Sequence, residues 1–263
     1  KDFYDSPTLE VLNIDLQNES IDFKFFLIGI FLLPAAPIIA CLFFIYPLLK
    51  GLIDQRNIIF EDKLNHLLIA SSLLMTLRCF FNIDIDDSNY LKNISAYQLN
   101  WIGLSNWIPL FLCYFSFQQY LNSEKRRITV SMVFVASSIP VLVSGFSQHF
   151  LNLYGPYEIF NGLIIWFQRS PTDGEGFSKG LTSLFNNQNY AGSWLTMIWP
   201  FCLTSFLINV RKRIKINILI TFVICIAFVV SIVLTLSRGA LLGLIISIPL
   251  MMGQISRIYL IIT

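Results

Sequence analysis

Long apolar runs, each about the length of a bilayer crossing and separated by short polar stretches, recur along the chain. A spanning helix needs about 20 mostly apolar residues. Runs of that kind predict helices over residues 25–49, 64–81, 101–120, 128–146, 191–210, 216–234 and 240–254, with an eighth beginning near Ile258. In lipid only helices and closed barrels satisfy the backbone, and barrel strands would alternate polar and apolar positions over about ten residues. The pattern therefore predicts an all-α polytopic bundle of seven to eight spans. A polar tail occupies residues 1–24, helices one to four lie within 25–146, an outer loop fills 147–190, and helices five to seven and the start of the eighth occupy 191–263. Pro34 and Pro37 fall inside the first run and could divide it in two.

Charge orients the pattern. Lys50, Arg56 and Lys63 follow the first run, Lys125, Arg126 and Arg127 the third, Arg211, Lys212, Arg213 and Lys215 the fifth, and Arg257 the seventh. Short loops rich in Lys and Arg are cytoplasmic. Loops 82–100 and 147–190 and the turn at Ser237 then face the exterior, and so does the tail, with six acids against two lysines. Within the outer loop, Leu163-Ile164-Ile165-Trp166-Phe167 is too short to span and is expected to lie at the interface or re-enter.

Composition agrees with a membrane class. The chain has 55% hydrophobic and 13% charged residues and a mean hydropathy of +0.66, where soluble domains carry about 25% charged residues. A net charge of +2 gives no reason to expect a nucleic-acid partner. Cys41, Cys79, Cys113, Cys202 and Cys225 form no CxxC or Cys/His cluster and read as small buried apolar residues. The first 20 residues are polar and acidic, unlike a secretory signal. The sequence starts at Lys1 and stops inside an apolar run, as a fragment of a longer protein would.

Three arginines break the positive-inside pattern. Arg78 lies near the outer end of the second span, Arg169 in the outer loop, and Arg238 in the turn Leu236-Ser237-Arg238-Gly239-Ala240 between two apolar helices. An anionic ligand at that face, best a diphosphate, accounts for them, because the guanidinium fork pairs bidentately with phosphate oxygens. A snorkelling arginine is the plainer explanation of any one of them. Ser237 offers a hydroxyl, and Gly239 suits a tight turn that needs positive φ.

Other candidate chemistry lies at the same face. Phe185-Asn186-Asn187-Gln188-Asn189-Tyr190-Ala191-Gly192 opens the fifth span with a run of amides, suited to capping the helix or to binding sugar hydroxyls or phosphate through Asn187, Asn189 and Tyr190. Arg169 precedes Gly180 with ten residues between them. His149, after Gln148, is a candidate base or ligand contact. Asp84-Ile85-Asp86 resembles the D-x-D element of metal-dependent glycosyltransferases, though an acidic solvated loop explains it as well. No span contains Asp or Glu, which speaks against an ion-coupled pump.

Leu184-Phe185-Asn186-Asn187-Gln188-Asn189-Tyr190-Ala191-Gly192 with Trp194 and Trp199-Pro200-Phe201, and Leu234-Thr235-Leu236-Ser237-Arg238-Gly239-Ala240, resemble two segments of the O-antigen ligase / O-antigen polymerase (WaaL/Wzy) superfamily. The first is similar to an aromatic-Gly-Asn-Pro-Asn-Tyr segment and the second to a T-x-SRGA segment. Gly162-Leu163-Ile164-Ile165-Trp166-Phe167-Gln168-Arg169 looks like a subgroup of these proteins. Asn186 and Gln188 depart from the Gly and Pro of many members. The resemblance covers roughly residues 144–253. It implies a multi-span GT-C-type glycosyltransferase of the bacterial inner membrane, with its active face periplasmic. Such an enzyme takes a glycan from undecaprenyl diphosphate and passes it to lipid A-core, a growing polysaccharide or a protein, with membrane lipid around it and no cofactor or metal. Family ligases carry a further large outer loop with a functional His after the SRGA region, which has no counterpart in this sequence. Arg238 and Arg169 would act catalytically on the diphosphate, with Arg78, Asn187, Asn189, Tyr190, Ser237, Gly239 and His149 binding substrate. Some relatives carry an inorganic-carbon transport label, so a small-solute transporter is the alternative.

Overall fold

The computed structural model describes residues 19–81, 96–170, 180–213 and 215–251. These residues are mostly helical: α1 (Ile21–Leu32), α2 (Pro37–Asp54), α3 (Arg56–Glu61), α4 (Lys63–Phe80), α5 (Ala96–Phe117), α6 (Glu124–Phe150), α7 (Gln188–Lys212), α8 (Lys215–Leu234) and α9 (Arg238–Met251). Among the described residues, Pro37–Asp54, Glu124–Phe150, Gln188–Val210 and Lys215–Leu234 are long and apolar enough to cross a membrane. Large apolar side chains such as Leu219, Ile220, Phe222, Val223 and Ile226 stand exposed along α8. A water-soluble protein rarely exposes so large a continuous patch, whereas lipid tails would cover it. The molecule is a helical membrane protein.

The chain divides into two compact units. One comprises, among described residues, 26–43 and 128–251. Its core joins Val141 and Leu142 of α6, Leu195 and Ile198 of α7, Phe228 and Ile232 of α8, and Ala240 and Leu244 of α9. Because α7 and α9 both start, and α6 and α8 both finish, at one end of this unit, residues 151–170 and 180–187 and the Ser237 turn share that end. Prolines interrupt the backbone ladder of α6, α7 and α9 at Pro140, Pro200 and Pro249. Neighbouring helices and hydroxyl side chains re-satisfy freed groups in such helices.

The other unit comprises 19–25, 44–81 and 96–127. Lys50 Nζ lies 2.7 Å from Asp22 Oδ1, and Arg126 Nη2 2.8 Å from Glu19 Oε2. The Arg126 guanidinium also covers the Phe23 ring at 4.7 Å. Buried Tyr120 donates to the Pro47 carbonyl at 3.3 Å.

Four expectations need correction. Residues 25–49 are not one helix: α1 ends at Leu32 and α2 starts at Pro37, because Pro37 lacks the N–H that would continue the ladder and suits a helix start. The last residues of the tail do not lie opposite the basic loops. The bend at 33–36 turns the chain back, and Glu19 and Asp22 pair with Arg126 and Lys50 of those loops. The fold is not purely helical, since Tyr157–Ile159 (β1) and Ile164–Trp166 (β2) pair as an antiparallel hairpin. Cys41 is exposed and Cys113 only half-buried, while Cys79, Cys202 and Cys225 are buried as expected.

Candidate functional site

The polar end of the first unit is built on Gln148, in the last turn of α6 and almost fully buried. Its Oε1 accepts from the backbone N–H of Thr182 (3.1 Å) and Ser183 (2.8 Å). Its Nε2 donates to the Arg169 carbonyl (2.8 Å) and to Thr182 Oγ1 (3.1 Å). Thr182 Oγ1 in turn accepts from the Arg169 N–H at 3.0 Å. One amide thus fixes two chain segments that come from opposite ends of the loop.

Gln168, also buried, continues the seam. Its Nε2 donates to Ser144 Oγ (2.6 Å) and to Ser147 Oγ (3.3 Å), and its N–H donates to the Ser183 carbonyl (3.0 Å). Both Gln168 (φ 34°) and Ser183 (φ 54°) sit in the left-handed region, which non-glycine residues seldom occupy. The dense side-chain bonding around them holds that geometry. Arg169, half-buried, places its guanidinium 5.4 Å from the centre of the Phe167 ring.

From here the chain reaches the other two motifs. Leu181 N–H donates to the Leu234 carbonyl at the end of α8 (2.8 Å). Gly180 abuts the Thr235 carbonyl and Gln188 Oε1, where no side chain would fit. A Cβ on Gly192 would lie 2.8 Å from Ala240 Cβ and 3.0 Å from Ser237 Cβ, so α7 packs at the start of its second turn directly on the first turn of α9. Gly180, the amide-rich segment and the Ser237 turn, separate in sequence, meet in one place.

Their roles differ in detail from the sequence expectation. Asn187 is the N-cap of α7: its Oδ1 accepts from the Asn189 N–H at 2.7 Å. That carbonyl is committed to the helix, while Asn189 and Tyr190 are exposed. Ser237 is buried, its N–H directed to Thr235 Oγ1 at 3.3 Å. Gly239 does not supply a positive φ. The left-handed residue of the turn is Leu236 (φ 54°), and Gly239 lies in the first turn of α9 with nothing within 4 Å of a built Cβ. Arg238 begins α9 and is exposed.

Arg78 is exposed in the last turn of α4, in the other unit. His149 is exposed, with its ring edge-on to Phe150 at 4.9 Å. Asp84 and Asp86 lie outside the described residues. Among the described residues no group of three or more His, Cys, Asp or Glu is placed to hold a metal ion.

Sequence reasoning missed Gln148 and Thr182, and held Thr235 only as the Thr of the T-x-SRGA segment, without its contact to Gly180. Neither Gln148 nor Thr182 belongs to a short motif, and partners 34 and 35 residues from Gln148 leave no local spacing to read.

The chain matches no known family model, no curated protein and no solved structure. The likeness of segments 184–192 and 234–240 to the ligase/polymerase superfamily rests on those residues alone.

Proposed function

We propose that this protein transfers or polymerises a glycan from an undecaprenyl-diphosphate-linked donor at the extracytoplasmic face of a bacterial inner membrane. The observation that carries this reading is the packing of Gly192 on Ser237 and Ala240, which sets the N-termini of α7 and α9 side by side. Each helix N-terminus bears unsatisfied N–H groups and a partial positive charge of about half an electron. Two of them beside Arg238, with Arg169 fixed at the same end, suit an anion with two phosphoryl groups.

In the reaction an acceptor hydroxyl attacks the anomeric carbon and gives up its proton to water, and the bond from that carbon to the diphosphate oxygen breaks. Negative charge grows on the departing diphosphate. Arg238 and Arg169 stabilise it, and a preorganised donor of this kind is worth about 2.7–4 kcal/mol. Asn189, Tyr190 and the amide N–H₂ of Asn187 contact glycan or phosphate, while Ser237 and Gly239 shape the floor. In this reading α4, α5 and the 14-residue α9 also cross the bilayer, which makes a GT-C-like bundle of seven to eight spans. The acceptor is lipid A-core, a polysaccharide or a protein.

Deleting the full-length protein in its host tests the class. Lipid-linked glycan accumulates and solute uptake is unchanged if the protein is a transferase. Normal glycan attachment together with lost uptake makes it a small-solute transporter instead.

A further inference from the structure

We propose that the tip of the β1–β2 hairpin inserts into the bilayer surface at the α6 end of the molecule, with lipid acyl chains and headgroups as its partner. Helix α6 has 27 residues, about 40 Å at 1.5 Å per residue, against a hydrocarbon core of about 30 Å. Basic Lys125, Arg126 and Arg127 at its start sit at one headgroup layer, so Phe150 at its finish reaches the other. The hairpin leaves from that level. Phe150, Leu151, Leu153, Tyr157, Ile159, Phe160 and Leu163 are all exposed, Phe160 by 73%. Between Phe150 and Phe167 the sequence holds one formally charged residue, Glu158.

The base of the hairpin is tied to the rest of the protein, and Leu163 N–H donates to the Phe160 carbonyl across its tip (3.2 Å). Trp166 Nε1 donates to the Ala35 carbonyl in the bend between α1 and α2 (2.8 Å), Gly155 N–H to the Gln168 carbonyl (3.0 Å) and Phe167 N–H to the Leu184 carbonyl (3.2 Å). At the tip Phe160, Asn161 and Gly162 have φ of 55°, 53° and 85°. Asn and Gly are at home there, but a bulky aromatic is not. An aromatic held in that position with most of its surface uncovered is explained by an apolar medium around it. A folded protein partner would meet an apolar centre ringed by polar groups, and this surface has almost no charged rim. Aromatic residues concentrate at the membrane interface.

A nitroxide at position 160 tests this on the full-length protein in lipid nanodiscs, with Cys41→Ala and Cys113→Ala to remove the accessible thiols. Collision with dissolved oxygen, which concentrates in lipid, is compared with collision with a water-soluble nickel chelate. For Phe160→Cys we expect oxygen to dominate, and for Asn122→Cys, in the exposed turn before α6, the chelate. Leu163→Cys gives a second reading should the first variant fold poorly, and it follows the same order. Dominance of the chelate at both 160 and 163 places the hairpin in water and overturns the proposal. An immobilised label reached by neither reagent does so too, because the tip then packs on protein, either a second copy or another segment of this chain. Neither readout depends on glycan transfer.

Discussion

Gly192 of α7 lies directly on Ser237, so close that a Cβ there would come within 3.0 Å of the Ser237 Cβ. This contact holds the amide-rich segment and the arginine-bearing turn together, and it separates the effects of two glycines. Gly192→Ala overpacks the joint, which costs about 1–3 kcal/mol, and both melting temperature and transfer fall. Gly239→Ala meets nothing within 4 Å and replaces glycine in a helix, a gain of up to about 1 kcal/mol. Its melting temperature holds or rises, while transfer falls because the methyl group occupies the approach to the α9 N-terminus. Thermal unfolding in detergent and transfer per folded protein check the pair.

Gln148 carries a different burden, as the amide that ties Arg169 to segment 182–183. Gln148→Leu leaves the N–H groups of Thr182 and Ser183 buried without an acceptor, at about 1–3 kcal/mol each. Melting falls markedly. Gln148→Glu keeps the acceptor oxygens but loses the bond to the Arg169 carbonyl and buries a charge, so it also fails to restore transfer. Wild-type melting in Gln148→Leu would remove the clamp.

The acid–base behaviour of the second unit follows from Asp22. Burial works to raise its carboxyl, but hydrogen bonds from Lys50 and Ser20 and from its surroundings outweigh burial and hold it below the ordinary 3.8. A depressed carboxyl stabilises the fold above its unfolded value and loses that contribution as pH falls through the folded value. Stability from this pair is therefore full at neutral pH and is lost progressively as pH falls through the unfolded and then the folded value. Asp22→Asn lowers the melting temperature at pH 7 and flattens its fall at low pH. Equal slopes for both proteins would contradict the pairing.

Topology is accessible to cysteine labelling on a Cys-depleted background. Positions 126 and 212 should react only from the cytoplasm and positions 174 and 239 only from outside. Position 19 should side with 126, because Glu19 and Arg126 are 2.8 Å apart. An impermeant reagent that labels 212 but not 174 in intact cells inverts the orientation.

Helix positions were largely legible in the sequence because apolar runs leave a strong local pattern. The break in the first run was signalled by Pro34 and Pro37, yet the length of the run masked it. The side taken by the tail was hidden because it depends on the pairs Asp22–Lys50 and Glu19–Arg126, set by a reversal of the chain and not by its charge balance. Arg238, Asn187 and Gly180 could be placed at one face from loop alternation. That Gly180 meets Thr235 and Gln188, and that Leu236 rather than Gly239 takes the left-handed conformation, depend on tertiary contacts with no sequence period. Gln148 was silent for the same reason.

The most direct test of the diphosphate site is transfer by Arg238→Lys. Arg238 is exposed at the start of α9, so substitution leaves the fold intact, and a snorkelling role would tolerate Lys. Lys keeps the charge but lacks the planar fork that binds phosphate bidentately. With a lipid-diphosphate donor and transfer normalised to folded full-length protein in the membrane, Arg238→Lys and Arg238→Ala should both lose most activity, Lys recovering no more than a minor fraction. Near-wild-type transfer by Arg238→Lys would contradict a bidentate diphosphate site at this turn.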